Sequence, residues 1–306
     1  MKSVLVGFGR IGNSIRHDAK IARYFKYASH AQVLKEHPAF EWIGVIDPDP
    51  QARERAMSEW GIAAWPMIEP LKEAEFAVLT CPPGERLRVV KNLAELRACL
   101  IEKPLGPQGR EFLDYCAGRD ISVSINFWRR AVPDYRRALE DIGAVQAVHA
   151  VYGNGLYNNG SHLIDFCDML FGKPALANRI SPAMTLGALG CSGPINDYAV
   201  DFVLVHPGFT VTAHAIDYRH YREFALDIWG TKGRLEIRAE SQELTMWLVK
   251  NHRGMENQKE VEQSAVWPVD TRNALYDLYT SIAEGKPLSP ATMLTQDICD
   301  RIVEDA

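Results

Sequence analysis

Four short runs of this 306-residue chain combine residue types that can do chemistry. Val4-Leu5-Val6-Gly7-Phe8-Gly9-Arg10-Ile11-Gly12 carries an apolar strand straight into G-x-G-x-x-G. Gly7 permits a tight turn, Gly9 lets the backbone approach a pyrophosphate, and Gly12 lets a following helix pack on the strand. Phe8, Arg10 and Ile11 complete the loop, and the helix N-terminus then offers free N–H groups to an anion. A second strand ends on Asp47, whose carboxylate can accept from ribose hydroxyls and would repel a 2′-phosphate, so NAD is expected over NADP. Asp47-Pro48-Asp49-Pro50 is also good turn chemistry, and the two roles are compatible. Glu102-Lys103-Pro104 follows a short apolar strand, and ligands of open α/β sheets bind at such carboxyl ends. Asn158-Asn159-Gly160-Ser161-His162-Leu163-Ile164-Asp165 opens a helix on which His162 and Asp165 share a face. Histidine titrates where proton transfer is useful.

The elements that must position these groups differ between the two halves. Up to about residue 125, short apolar strands (3–6, 42–46, 76–80, 100–101, 121–127) alternate with helical stretches (50–60, 84–99, 108–117). That is the pattern of a parallel α/β sheet covered on both faces. Asp47 lies 35 residues beyond Gly12, against roughly 20 in the usual fingerprint. The excess, polar and aromatic between His17 and His30, is an expected insertion before the second strand. From there on, helices at 133–142 and 161–171 flank a strand at 144–153. Strands at 198–205, 209–218, 224–230, 234–239 and 244–250 follow, then a polar loop at 252–262 and helices at 271–284 and 291–305. Strands joined by tight turns predict a largely antiparallel sheet. The expected domains are therefore 1–125, a dinucleotide-binding α/β domain, and 126–306, an α+β domain for substrate and oligomerisation.

Composition narrows the class. Lys and Arg number 34 against 39 Asp and Glu, a formal net charge of −5, which argues against a nucleic-acid binder. No apolar run approaches the roughly 20 residues of a membrane span, and Met1–Val6 reads as a strand, so no secretory h-region is expected there. Six scattered cysteines (Cys81, Cys99, Cys116, Cys167, Cys191, Cys299) suit a reducing, cytoplasmic setting and no zinc spacing. Asp165 and Asp168 share a helix face without a third ligand at metal spacing, so no metal is expected. Arg129-Arg130 suits either a solvated helix-start pair or an anion holder. The remaining histidines, His30 among them, have no partner at useful spacing.

In this order and spacing, the motifs resemble the glucose–fructose oxidoreductase / inositol dehydrogenase / rhizopine-catabolism (Gfo/Idh/MocA) family over nearly the whole chain. The resemblance takes in the glycine run, Thr80-Cys81-Pro82-Pro83, Glu102-Lys103-Pro104, Arg129-Arg130 before Pro133, and Gly160-Ser161-His162 with Asp165. It ends on the hairpin Gly230-Thr231-Lys232-Gly233-Arg234-Leu235-Glu236-Ile237. It implies a Rossmann domain joined to an open antiparallel sheet, with the active site between them, and hydride transfer to or from a sugar or sugar derivative. Lys103 and His162 are then the catalytic pair, and Asn158, Arg129, Tyr157 and Asp165 line the substrate. Thr80, Cys81, Pro82, Glu102 and Lys103 join the glycine run and Asp47 around the cofactor. Many relatives carry an acid where this chain has Asn158. An amide cannot stabilise imidazolium by charge, which lowers the expected reliance on His162 at high pH and shifts proton work to Lys103.

A weaker likeness of 156–165 and the insertion points to surface-polysaccharide or nucleotide-sugar metabolism. The alternatives are a C=N or C=O reductase of the same fold, and a sugar sensor that binds cofactor without turnover. A homodimer or homotetramer through the sheet is expected, with Phe202, Leu204, Phe209, Val211 and Ala213 on its uncovered face.

Overall fold

The computed structural model describes residues 1–188, 196–251 and 259–304. Cys191 and the 252–258 part of the expected loop lie outside them. The chain forms two compact units. Met1–Ala131 with Thr271–Met293 make the first, and the described residues of 132–270 and 294–304 make the second. The single cut expected at 125/126 differs from this in two places, because 126–131 and 271–293 belong to the first unit.

In chain order the first unit runs β1 (Lys2–Val6), α1 (Ala19–Ala22), α2 (His30–Glu36), β2 (Glu41–Ile46), α3 (Pro50–Trp60) and β3 (Ala64–Trp65). It continues with β4 (Phe76–Leu79), α4 (Pro83–Lys91), β5 (Ala98–Ile101), α5 (Gly109–Ala117) and β6 (Ser122–Ile125). The helix expected over 84–99 stops at Lys91, and its last residues are the first of β5. All six strands pair in parallel in the order β3-β2-β1-β4-β5-β6. The order reverses at β1/β4, where such sheets open a crevice at the strands' carboxyl ends.

Both faces of this sheet are buried. Val89, Val90, Phe112 and Cys116 of α4 and α5 pack on one. On the other, α2 and α3 are joined by a helix near the chain's end, α8 (Ala274–Ala283), whose Leu275, Leu278, Tyr279 and Ile282 complete the core around Phe40 and Phe76. Burying those four side chains is what brings residues 271–293 back to this unit.

The second unit runs α6 (Asp134–Asp141), β7 (Val145–Gly153), α7 (Ser161–Phe171), β8 (Leu176–Arg179), β9 (Met184–Ala188), β10 (Asn196–Ala199), β11 (Phe202–His206) and β12 (Phe209–Ile216). Then come β13 (Phe224–Gly230), β14 (Gly233–Arg238), β15 (Glu243–Asn251), β16 (Lys259–Pro268) and, after α8, α9 (Leu294–Glu304). Eight strands form one sheet, β16-β15-β14-β13-β7-β12-β11-β8, antiparallel except for β7 with β12. β9 and β10 form a separate pair. The expected α/β domain followed by a mainly antiparallel α+β domain is the architecture found. β16 starts inside the expected polar loop. It is an edge strand, nearly all exposed, so it lacks the alternation that marks a half-buried strand.

Phe202, Leu204, Val211 and Ala213 are fully buried within this unit, and Phe209 is partly buried. They line the covered face of the sheet, which corrects their assignment to the open one. Alternation tells which residues share a face, not which face the helices cover. On the opposite face, Arg234 pairs with Asp227 at 2.6 Å and Glu236 at 2.6 Å and lies over Trp229. No helix among the described residues is long and apolar enough to cross a membrane.

Candidate functional site

The glycine loop leaves β1 at its carboxyl end and is fixed from both neighbouring strands. From β2, Asp47 Oδ2 accepts the Phe8 N–H at 2.6 Å, while its Oδ1 accepts the Asp49 N–H at 2.9 Å. From β4, the Thr80 hydroxyl donates to the Gly7 carbonyl at 2.6 Å. Gly7 has φ +93°, and a Cβ there would meet Thr80 Oγ1 at 2.8 Å, so both conformation and space require glycine. A Cβ at Gly9 would meet nothing within 4 Å. The N–H groups of Gly9, Arg10 and Ile11 donate to no acceptor among the described residues. Three successive free N–H groups beside an open glycine form an anion cradle, so these residues fit the pyrophosphate of a dinucleotide.

The cradle is a turn, not the helix N-terminus expected. Asn13 breaks the helix at φ −140°. Its buried side chain donates to Glu59 at 2.8 Å and accepts from the Trp60 indole at 2.9 Å and Arg16 Nε at 3.1 Å. A four-residue 3-10 turn (Ser14–His17) and α1 follow, and a longer helix resumes only at α2. The first α2 N–H groups, of His30 and Ala31, reach the Ile11 and Gly12 carbonyls at 3.4 and 3.0 Å. The insertion therefore interrupts the first helix. Gly12 closes the loop on itself, since a Cβ would stand 2.5 Å from the Gly7 carbonyl oxygen.

β5 delivers Glu102 and Lys103, and here the sequence missed a partner. Glu102 Oε1 accepts Asn126 Nδ2–H at 2.7 Å and lies 2.9 Å from His30 Nε2, while His30 Nδ1 lies 2.7 Å from the Tyr279 hydroxyl. With Glu102 ionised, Nε2 carries the imidazole proton and donates it, leaving Nδ1 to accept from Tyr279. Burial pushes the Glu102 carboxyl up, but His30, with Asn126 and Lys103, outweighs it and holds the group below its ordinary range. Burial, with the Glu102 charge nearby, pushes the Tyr279 hydroxyl well up, so it stays a donor. Glu102 Oε2 has no hydrogen bond among the described residues, and Asn126 Oδ1 is buried without a partner. Both acceptors suit ligand donors such as a ribose hydroxyl and a carboxamide N–H.

Arg86 of α4, fully enclosed, donates to the Pro104 carbonyl at 2.8 Å and so pins the segment after Lys103. Burial pushes the Cys81 thiol up to about 11, so beside the cradle it is a neutral thiol and not a nucleophile. Arg129 is 6% exposed, with its guanidinium 4.4 Å from the Trp128 ring centre. A solvated pair does not describe it. The strand ends thus bring together Gly7–Gly12, Asp47, Thr80–Pro82, Glu102 and Lys103.

The second unit assembles Tyr157, Asn158, His162 and Asp165 on a π-type turn (Leu156–Gly160) and the start of α7. Asp197, absent from the sequence reading, holds that turn. It is buried and accepts the N–H groups of Tyr157 (2.9 Å), Asn158 (3.2 Å) and Tyr198 (2.9 Å). Gly155 has φ +87°, and a Cβ there would fall on the Asp197 carboxylate. The Tyr157 hydroxyl donates to Asp300 at 2.7 Å, so it is already engaged within the unit. Burial and the Asp300 charge push it up from its ordinary range. His162 is half-buried and Asp165 buried. Among the described residues no group of three metal-ligating side chains gathers.

No family model matches the chain, and no curated protein matches its sequence. Solved structures do match in fold. A dehydrogenase (MviM) from Clostridium difficile aligns over 100% of this chain and 99% of its own, at TM-score 0.73 and 16% identity. A levoglucosan dehydrogenase in complex with NADH and levoglucosan aligns over 100% and 97%, at TM-score 0.74 and 18% identity. A chain described as an NADPH-dependent oxidoreductase from Desulfitobacterium hafniense aligns over 99% and 93%, at TM-score 0.72 and 14% identity. The chain has the two-domain fold of these dehydrogenases.

Proposed function

We propose that this protein is an NAD(P)-dependent oxidoreductase of the Gfo/Idh/MocA type, moving a hydride between nicotinamide and a sugar-like hydroxyl or keto carbon, with NAD favoured. The observation that supports it most is one of placement. The open glycine cradle, Asp47 and Glu102-Lys103 stand at the carboxyl ends of strands in the order β2-β1-β4-β5. Sugar dehydrogenases of the same fold lend support, since one is described in complex with NADH and levoglucosan and with NADH and L-sorbose.

When bound, a nicotinamide supplies the carbon that accepts or returns the hydride. The chain's own groups do the rest. Asp47 retains lone pairs for ribose hydroxyls after taking its two backbone N–H groups, and a carboxylate there disfavours a 2′-phosphate. Glu102, clamped through Oε1, offers Oε2 to the nicotinamide ribose. Lys103 Nζ stabilises negative charge on the substrate oxygen as it becomes an alkoxide. An imidazole nitrogen of His162 takes the hydroxyl proton in oxidation and returns it in reduction. Arg129, Asn158 and Asp165 recognise the substrate, and the sheet of the second unit carries a dimer or tetramer contact.

The test is turnover of a panel of sugars and nucleotide sugars, followed by reduced-cofactor absorbance. Lys103→Met should lower kcat by about 100-fold. Nucleotide-sugar substrates would favour the narrower surface-polysaccharide reading. Tight cofactor binding with no turnover across the panel would instead make the protein a sensor.

A further inference from the structure

The turn that carries Asn158 is wound wider than an α-helix. The Gly155 carbonyl accepts the N–H groups of both Asn159 and Gly160 at 2.9 Å, and the Leu156 carbonyl accepts that of Ser161, five residues on. Such π-type turns hold one residue more than an α-helical turn, are rare, and recur at functional sites. Giving that residue up to the preceding loop would rewind the turn as α-helix. Successive helical residues stand about 100° apart round the axis, so side chains ahead of the rewound point would swing by about that angle. A contact outside the turn has to select the wider form.

Two acids hold this turn, and they hold different parts of it. Asp197 takes main-chain N–H groups. Asp300 of α9 takes a side chain: its Oδ1 accepts from the Tyr157 hydroxyl at 2.7 Å and from Gln296 Nε2 at 2.8 Å. Tyr157 is 8% exposed and Gln296 6%, so the junction is packed. From inside the turn, the Ser161 hydroxyl lies 2.8 Å from the Tyr157 carbonyl and 3.0 Å from that of Asn158. Within 156–160 only Asn158 and Asn159, the two residues after Tyr157, are half-exposed. In an α-wound turn the Tyr157 ring would swing away from Asp300, so this one side-chain bond distinguishes the two windings.

We propose that Asp300 is a positioning residue: through the Tyr157 hydroxyl it keeps the turn in its π form and so aims the Asn158 side chain. That Asn158 meets a sugar rests on the function proposed above, whereas the lock on the winding does not. Asp300→Asn separates the hydrogen bond from the charge. Its amide oxygen can accept from both Tyr157 and Gln296, and its NH2 replaces Oδ2, which has no hydrogen bond among the described residues.

Nuclear magnetic resonance of the 15N-labelled protein without cofactor reads the winding, and kinetics with the sugar turned over best read its use. In Asp300→Ala and Tyr157→Phe the Asn158 side-chain amide signals should move, and in Asp300→Asn they should stay with the wild type. The KM for sugar should rise at least about tenfold in the first two variants, with NADH affinity by calorimetry unchanged. Unmoved Asn158 signals in Asp300→Ala, or equal damage in Asp300→Asn, would overturn the proposal. So would an NADH affinity that falls along with the rise in sugar KM. If wild type turns over no sugar, that counts against the proposed function alone, and the Asn158 signals still decide the lock.

Discussion

Each unit fixes a candidate loop with a buried carboxylate, and the two differ in what they leave for a ligand. Asp47, 8% exposed at the end of β2, takes one N–H from the glycine loop and one from its own turn. Asp197, 4% exposed, takes three backbone N–H groups, two of them from the turn that precedes His162. Asp197 is close to saturated and acts as a clamp. Asp47 is a clamp with capacity left over, at the carboxyl end of a parallel strand where ligands bind. A buried acid is therefore evidence of a binding site only after its backbone partners have been counted.

Alanine substitution at both positions should break the pair apart. Asp197→Ala strands three N–H groups and should cost on the order of 4 kcal/mol in denaturant unfolding. Asp47→Ala should cost about 1–2 kcal/mol and weaken dinucleotide binding by at least about tenfold. Equal stability losses would contradict the distinction.

His30→Ala should fall between them, at about 2–3 kcal/mol, because it leaves Glu102 and Tyr279 without their shared partner. The KM for cofactor should rise with it, whereas a purely structural histidine would lower stability and leave KM alone.

The smallest effect is an acid slope. Glu102 is held below its ordinary value of 4.5, so the folded protein binds that proton less tightly than the unfolded chain. Its contribution is present in full above that value and is lost as pH falls through the lower folded one. Unfolding free energy of Glu102→Gln should fall less steeply than wild type between about pH 5 and about pH 3. Parallel curves would place the stabilising partners elsewhere.

Legibility followed distance along the chain. Asp47 could be read because a strand-end acid near a glycine turn is a local pattern, and the strands around it have apolar runs typical of a two-sided parallel sheet. His30 could not, since its partners lie 72 and 249 residues away. Asp197 is 40 residues from Tyr157, on a short strand pair with no periodic signal. The helix expected over 271–284 is found as α8 (Ala274–Ala283), but no local pattern shows that its apolar stripe belongs to the first unit's core. The helix after Gly12 failed for the opposite reason. The glycine turn forms, but Asn13, bonded to α3, ends it before a helix can start.

Thermal unfolding with NAD, NADH, NADP and NADPH tests the central claim most directly, because a ligand of the folded state must raise its midpoint. At about one hundred times Kd the gain should be about 2.7 kcal/mol. The prediction is a clear rise with NADH, a smaller one with NADPH, and loss of the NADH shift in Asp47→Ala. Preference for NADPH would refute the role given to Asp47. No shift with any of the four would contradict the dinucleotide site altogether.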